Sequence, residues 1–291
     1  DLHSFPTRRS SDLHIAPPDP NVSASDDKVT AKASLMFKLS DNVNLYGLFS
    51  QGFRQGGTNS TGFGNAIVIP PTFKPDSLDN YELGAKTAWL ANRLVVNASL
   101  YSIIWNDIQT REQEPVVGFE YIGNSSAARV DGVELEVFAE PSKSLNFTFS
   151  ATVLDARLTK DQPSLQVQTP IGKDGDPVPF VPEFTGAVSG QYNFWLPENI
   201  GGYVRADWNY VGSSQTQFNR DGLYFRKQKA HEVLDVRTAF RREKWEVGLF
   251  AENLLDERAQ LRLDESRSAP FSILTNRPRT IGAFFQYSFS K

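Results

Sequence analysis

Cysteine is absent from this 291-residue chain, which excludes a disulfide framework and any thiolate metal site. No stretch approaches the roughly 18 consecutive apolar residues of a membrane helix. Nor does positive charge dominate: 30 basic against 34 acidic residues give a net charge of −4. Without a basic stripe to neutralise phosphates, a nucleic-acid partner is not expected. Histidine occurs three times, and His3 and His14 fall in an N-terminal stretch that is unlike the rest. With apolar residues at 40 %, composition alone suits one or two soluble domains or one large barrel piece.

The order of the residues points elsewhere. Aromatics reach 12 %, with 21 Phe and 9 Tyr, and apolar residues fall at every second position. Leu94, Val96, Ala98 and Leu100 alternate with Val95, Asn97, Ser99 and Tyr101. Val133, Leu135, Val137 and Ala139 alternate with Glu134, Glu136 and Glu140, and Trp245, Val247, Leu249 and Ala251 with Lys244, Glu246, Gly248 and Glu252. A period of two is the strand signature, whereas a helix would scatter those apolar residues around its circumference.

Connections alternate between short (40–43, 90–93, 141–144, 197–201, 241–244) and long (54–77, 111–119, 159–182, 218–229, 257–276), the long ones rich in Gly, Pro, Asn, Ser and Asp. About eleven strands follow: 29–40, 43–54, 78–91, 92–110, 119–140, 144–159, 182–196, 201–217, 230–241, 244–256 and 277–290. Several exceed the 9–11 residues that cross a bilayer when tilted. Strand, tight turn, strand, long loop is the rhythm of an antiparallel transmembrane β-barrel with short periplasmic turns and long extracellular loops. The all-β alternative, a soluble sandwich, usually has shorter strands and lacks this asymmetry.

In a bilayer every backbone polar group must pair within the protein, so strands cross only as a closed barrel, apolar outside and free to be wet inside. The polar parity carries charge of both signs: Glu82, Lys86, Glu134, Glu136, Arg205, Asp207, Asp235, Arg237 and Glu252. These are expected in the lumen, because an Arg or Lys facing lipid near the midplane costs about 2–4 kcal/mol. The wet face of an open antiparallel sheet would carry the same pattern. Tyr46, Phe53, Tyr81, Trp89, Trp105, Trp195 and Trp245 lie near strand ends and suit interfacial girdles.

Catalytic and metal motifs are sparse. His231 stands beside Glu232, without the nucleophile and base that a barrel hydrolase needs. The segment 172–177, GKDGDP, lacks the bidentate Glu of a calcium loop and reads as a solvated turn. The glycine cluster SQGFRQGGTNSTGFGN has no phosphate-loop Lys and reads as a flexible extracellular loop. Neither a cofactor nor a metal is expected. Arg54, Arg220, Arg226, Arg262 and Arg267 fall in long loops, where guanidinium groups can meet an anionic ligand or lipopolysaccharide phosphates, or serve solubility alone.

Five segments carry a family resemblance. NYELGAKTAWLANRLVVNASLYSIIWNDIQ (80–109), RVDGVELEVFAEPSKSLNFTFSA (129–151), VPEFTGAVSGQYNF (181–194), LFAENLLDER (249–258) and NRPRTIGAFFQYSF (276–289) resemble, in order and spacing, the β-barrel of TonB-dependent receptors. That resemblance implies an outer-membrane receptor of a Gram-negative bacterium. It would import a scarce ligand such as a ferric siderophore, driven by TonB acting on a plug domain. Outer-membrane lipid and lipopolysaccharide would surround it. A passive porin-type channel is the alternative, and a barrel hydrolase a more distant one. If the barrel has the 22 strands of plugged transporters, the parity of the strands makes these the last eleven, so that residues 29–291 form its C-terminal half. Asp1 to Leu13 has no strand or helix period and closely resembles the conceptual translation of a sequencing adaptor. Residues 1–28 are therefore set apart, as an artefact or a disordered tail.

Overall fold

The computed structural model describes residues 22–60, 69–113, 120–162, 172–218, 220, 225–266 and 269–289. Eleven antiparallel strands form one sheet in sequence order. They are β1 (Lys32–Ser40), β2 (Val43–Arg54), β3 (Asp76–Trp89), β4 (Leu94–Gln113), β5 (Glu120–Ser142), β6 (Leu145–Leu158), β7 (Phe184–Leu196), β8 (Ile200–Val211), β9 (His231–Arg242), β10 (Trp245–Glu252) and β11 (Thr280–Tyr287). Every strand pairs with its sequence neighbour, and the sheet is open, with β1 and β11 at its edges. The sole helical element among the described residues is the 3-10 turn Pro197–Asn199.

Alternating β-branched, aromatic and small residues build the strands, and left-handed residues end them. Leu90, Ala91 and Asn92 (φ 53°, 54° and 64°) turn β3 into β4, Glu198 and Asn199 turn β7 into β8, and Glu243 turns β9 into β10. Three strands are five or six residues shorter than the sequence pattern suggests. Strand β8 stops at Val211, where Gly212 donates to the Phe184 carbonyl, and the chain then pairs Ser214–Gln215 with Lys227–Gln228. Strand β10 stops at Glu252 because Asn253 takes a positive φ of 50°. Strand β11 begins only after Pro278, which has no N–H to donate to a ladder.

The register decides which side chains share a face, because directly opposed residues project to the same side. One rung runs Leu35, Gly47, Leu83, Leu100, Val133, Val153 and Phe184 across seven strands, apolar throughout. Its side chains are open: Leu83 is 66 % exposed, and Ile281 on the same face of β11 is 73 % exposed. Leaving a Leu or Ile outside an apolar environment forgoes roughly 1.5–3 kcal/mol each. An apolar face across eleven strands far exceeds the patch a soluble monomer tolerates. Among the described side chains, charge reaches this face beyond that rung on the long-loop side (Asp79, Arg129, Asp131, Asp155 and Arg157) and at the two ends of β9 (Glu232 and Arg242).

Candidate functional site

The opposite face collects the charge. Glu82 and Lys86 of β3, Glu134 and Glu136 of β5, Arg205 and Asp207 of β8, Asp235 and Arg237 of β9, and Glu252 of β10 all share it. Local pairs hold them. The Tyr46 ring lies across Gly84, where any side chain would collide with it. From there its hydroxyl donates to Glu82 Oε1 at 2.5 Å, while Lys86 Nζ sits 5.6 Å from the ring centroid. Tyr101 covers Gly132 in the same way one strand pair further on. Tyr46, Trp105 and Trp195 therefore lie on the charged face, not in the outward girdle that their positions near strand ends suggest. Gly84 opposite Tyr46 and Gly201 opposite Trp195 leave room for a ring on this face.

On β8 and β9 like charges meet: Arg205 opposes Arg237 and Asp207 opposes Asp235. Directly opposed like charges destabilise a sheet, so each needs relief. Arg205 donates to Asp207 at 2.6 and 2.8 Å. Asp235 accepts the Asn253 backbone N–H at 2.7 Å. Arg237 lies over the Phe284 ring at 5.3 Å. Glu252 pairs with Arg277 at 2.8 Å. A cavity of about 160 Å³ remains between Arg205, Asp207, Asp235, Arg237, Phe250 and Glu252.

At the long-loop end the same face finishes in a polar node that the sequence does not announce. Asp76 is 1 % exposed. Its carboxylate accepts the Arg54 backbone N–H at 3.0 Å, Arg54 Nε at 2.7 Å, Arg54 Nη2, Trp105 Nε1 at 3.1 Å and the Gln109 N–H at 3.4 Å. The Arg54 guanidinium carbon lies over the Trp105 ring, 5.1 Å from its centroid. Side-chain amides then fasten the β2–β3 loop to the β4–β5 hairpin. Gln109 donates to the Gln55 and Lys74 carbonyls at 2.8 and 3.1 Å. Asn124 bonds both the N–H and the carbonyl of Lys74, at 2.6 and 2.8 Å. Asn59, 5 % exposed, bonds the Pro70 carbonyl and both backbone groups of Ile122. The register shift that makes room for this lies at Asp107, where φ is 53°. The described part of this glycine-rich loop is thus tied down, although its composition suggests a flexible one.

The described arginines of the long connections lie on three separate segments. Arg54 ends β2 and is engaged by Asp76. Arg220 and Arg226 lie between β8 and β9, both exposed, with Arg226 Nη1 on the Phe225 carbonyl at 2.7 Å. Arg262 stands opposite Leu274 in the hairpin Gln260–Ser266 with Ala269–Thr275, between β10 and β11; Arg267 lies outside the described residues. His231 begins β9 opposite Val211. Among the described residues no three of His, Asp or Glu converge as a metal would need.

The NLLDER segment acquires a physical role. Asn253, nearly buried, bonds the carbonyls of Glu257 and Arg277 at 2.9 Å each and accepts the Glu257 N–H, closing the turn after β10. Asp256 accepts the Arg279 N–H at 3.1 Å, and this bond, helped by the charges of Arg258 and Arg279, holds its carboxyl below the usual carboxylate range.

Residues 5–254 match the family described as TonB dependent receptor-like, beta-barrel. The chain belongs to that family. The TonB-dependent receptors it resembles include the ferric-pyoverdine M114 receptor PbuA of Pseudomonas sp. (strain M114). PbuA is 27 % identical over 242 residues, covering 81 % of this chain and 27 % of that protein. The pesticin receptor of Yersinia enterocolitica is 24 % identical over the same length, covering 81 % and 32 %. In fold, the chain is similar to the ferric yersiniabactin uptake receptor FyuA from Yersinia pestis. The TM-score is 0.74 at 21 % identity, covering 91 % of this chain and 38 % of that one. The chain therefore spans about a third of the length of its relatives.

Proposed function

We propose that this receptor chain forms part of the wall of an outer-membrane barrel that takes up a ferric siderophore, energised by TonB through a plug domain. The apolar face meets outer-membrane lipid and lipopolysaccharide. The charged face lines the lumen, and the node at Asp76 and Arg54 belongs to its extracellular mouth. One observation carries the reading: nine ionisable residues share one face, while the opposite face is free of charge through its central band. A charge in such a band would cost about 2–4 kcal/mol for Arg or Lys. The relatives named for ferric pyoverdine and ferric yersiniabactin support the class of cargo. Residues 29–291 then account for the last eleven strands of a 22-stranded barrel. Arg54, Arg220, Arg226, Arg262 and Arg267 stand as candidate contacts for an anionic cargo.

The test is uptake of radiolabelled ferric siderophores by cells carrying the full-length gene, with and without functional TonB. Saturable uptake that disappears without TonB is expected. Uptake that is unsaturable and indifferent to TonB would favour the porin-type channel instead. Ligand hydrolysis abolished by His231→Ala would favour a barrel enzyme.

A further inference from the structure

The position of Arg54 is fixed by Asp76, Gln109 and Trp105. Its Nε and Nη2 meet the Asp76 carboxylate, Nη2 also reaches the Gln109 carbonyl, and its guanidinium carbon lies over the Trp105 ring. Asp76, being almost wholly buried, has nowhere else to direct its charge. Yet the Arg54 side chain remains 51 % exposed, and no partner among the described residues meets Nη1. One edge of a rigid fork is pinned while the other faces out, on the same side of the sheet as Glu82 and Lys86. An arginine offers donors only, so the open edge suits an oxygen that accepts, and best an ionised one. Lys74, exposed two residues before Asp76, adds a second cation to the approach.

The surroundings do not move independently. Gln109, Asn124 and Asn59 bind the loop carrying Gln55, Lys74 and Pro70 to the hairpin that carries Trp105. We infer that this fastened wall is a preformed anion subsite, in which Arg54, oriented by Asp76 and Trp105, binds a negatively charged oxygen of the incoming ferric complex. Because the donor is fixed before the ligand arrives, little ordering cost opposes binding. Asp76 and Trp105 are positioning residues, and Arg54 is the contact.

This subsite rests on the uptake reading, and the experiment separates the two. Binding of a trianionic ferric tris-catecholate and of an uncharged ferric tris-hydroxamate to the purified full-length receptor is measured by fluorescence quenching. The wild type is expected to prefer the anionic complex. Arg54→Gln should weaken that complex by about ten- to a hundred-fold and change any binding of the neutral complex by less than about threefold. Because Arg54→Gln leaves Asp76 buried without its cation, Arg54→Gln/Asp76→Asn is measured beside it, with heat-modifiable gel mobility as the check on folding. The double variant should show the same selective loss. Unchanged anionic affinity in folded variants, equal loss of both complexes, or a preference for the neutral complex overturns the subsite while leaving uptake standing. Failure of the wild type to bind either complex overturns the uptake reading and the subsite together.

Discussion

Tyr46 lies across Gly84 on the neighbouring strand, with its hydroxyl on Glu82 two residues away. The missing side chain at Gly84 lets the ring lie flat against the sheet, and the ring in turn brings Glu82 and Lys86 into one unit. A charged face is thereby built with its charges satisfied in place.

That arrangement predicts unequal glycines. Gly84→Ala puts a methyl into the Tyr46 ring and should cost about 1–3 kcal/mol, as overpacking does. Gly52→Ala, on β2 with open space around the position, should change stability by less than about 0.5 kcal/mol. The midpoint of heat-modifiable mobility ranks the two, and equal midpoints would contradict the packing described.

The opposed arginines predict a dependence on Asp207. In Asp207→Asn, Arg205 and Arg237 still face each other but Arg205 has lost its anion, and stability should fall by about 1–3 kcal/mol. Arg205→Gln/Asp207→Asn removes the like-charge contact as well and should recover most of that loss. A double-mutant cycle in urea measures the coupling.

Asn59 bonds three backbone groups on two segments, 11 and 63 residues away in sequence. Asn59→Ala strands buried partners, and each unsatisfied group costs about 1–3 kcal/mol. Limited proteolysis of intact cells should then cut the β2–β3 loop much faster than in the wild type, with barrel mobility unchanged. An unchanged cutting rate would show that the loop is held by other contacts.

Asp256 gives a pH dependence of definite sign. Its carboxyl titrates below the usual carboxylate range when folded, so it stabilises the turn after β10 above the unfolded carboxyl's pKa of about 3.9. That contribution is lost as pH falls through the folded value. Hydrogen exchange of the Arg279 amide, bonded to Asp256, should accelerate on acidification, beyond the intrinsic change, in the wild type. In Asp256→Asn that acceleration should be absent, and its persistence there would contradict the assignment.

Much of the fold was legible from period two, because each face of a strand sees a single solvent. All eleven strands and the five short turns were readable that way, and so was the shared face of Glu82, Glu134 and Asp235. The ends of β8, β10 and β11 were not, since Gly212, Asn253 and Pro278 act through hydrogen bonds made or withheld by distant residues. Tyr46 and Trp105 were misplaced because proximity to a strand end says nothing about which face a ring finds vacant. The node at Asp76 was invisible for a related reason: Asp, Asn and Gln in a long connection look like ordinary loop composition. Their partners are set only by the register of β3, β4 and β5.

The central claim is that the sheet has a lipid face and a wet face. This chain has no cysteine, so single cysteines can be placed along β4 at 94–101 in the full-length receptor, with any cysteine elsewhere replaced by serine, and spin-labelled in liposomes. Labels at Leu94, Val96, Ala98 and Leu100 should be relaxed by oxygen and shielded from a water-soluble nickel complex. Those at Val95, Asn97, Ser99 and Tyr101 should show the reverse, with a period of two. Equal access of the nickel complex to both sets would contradict the account.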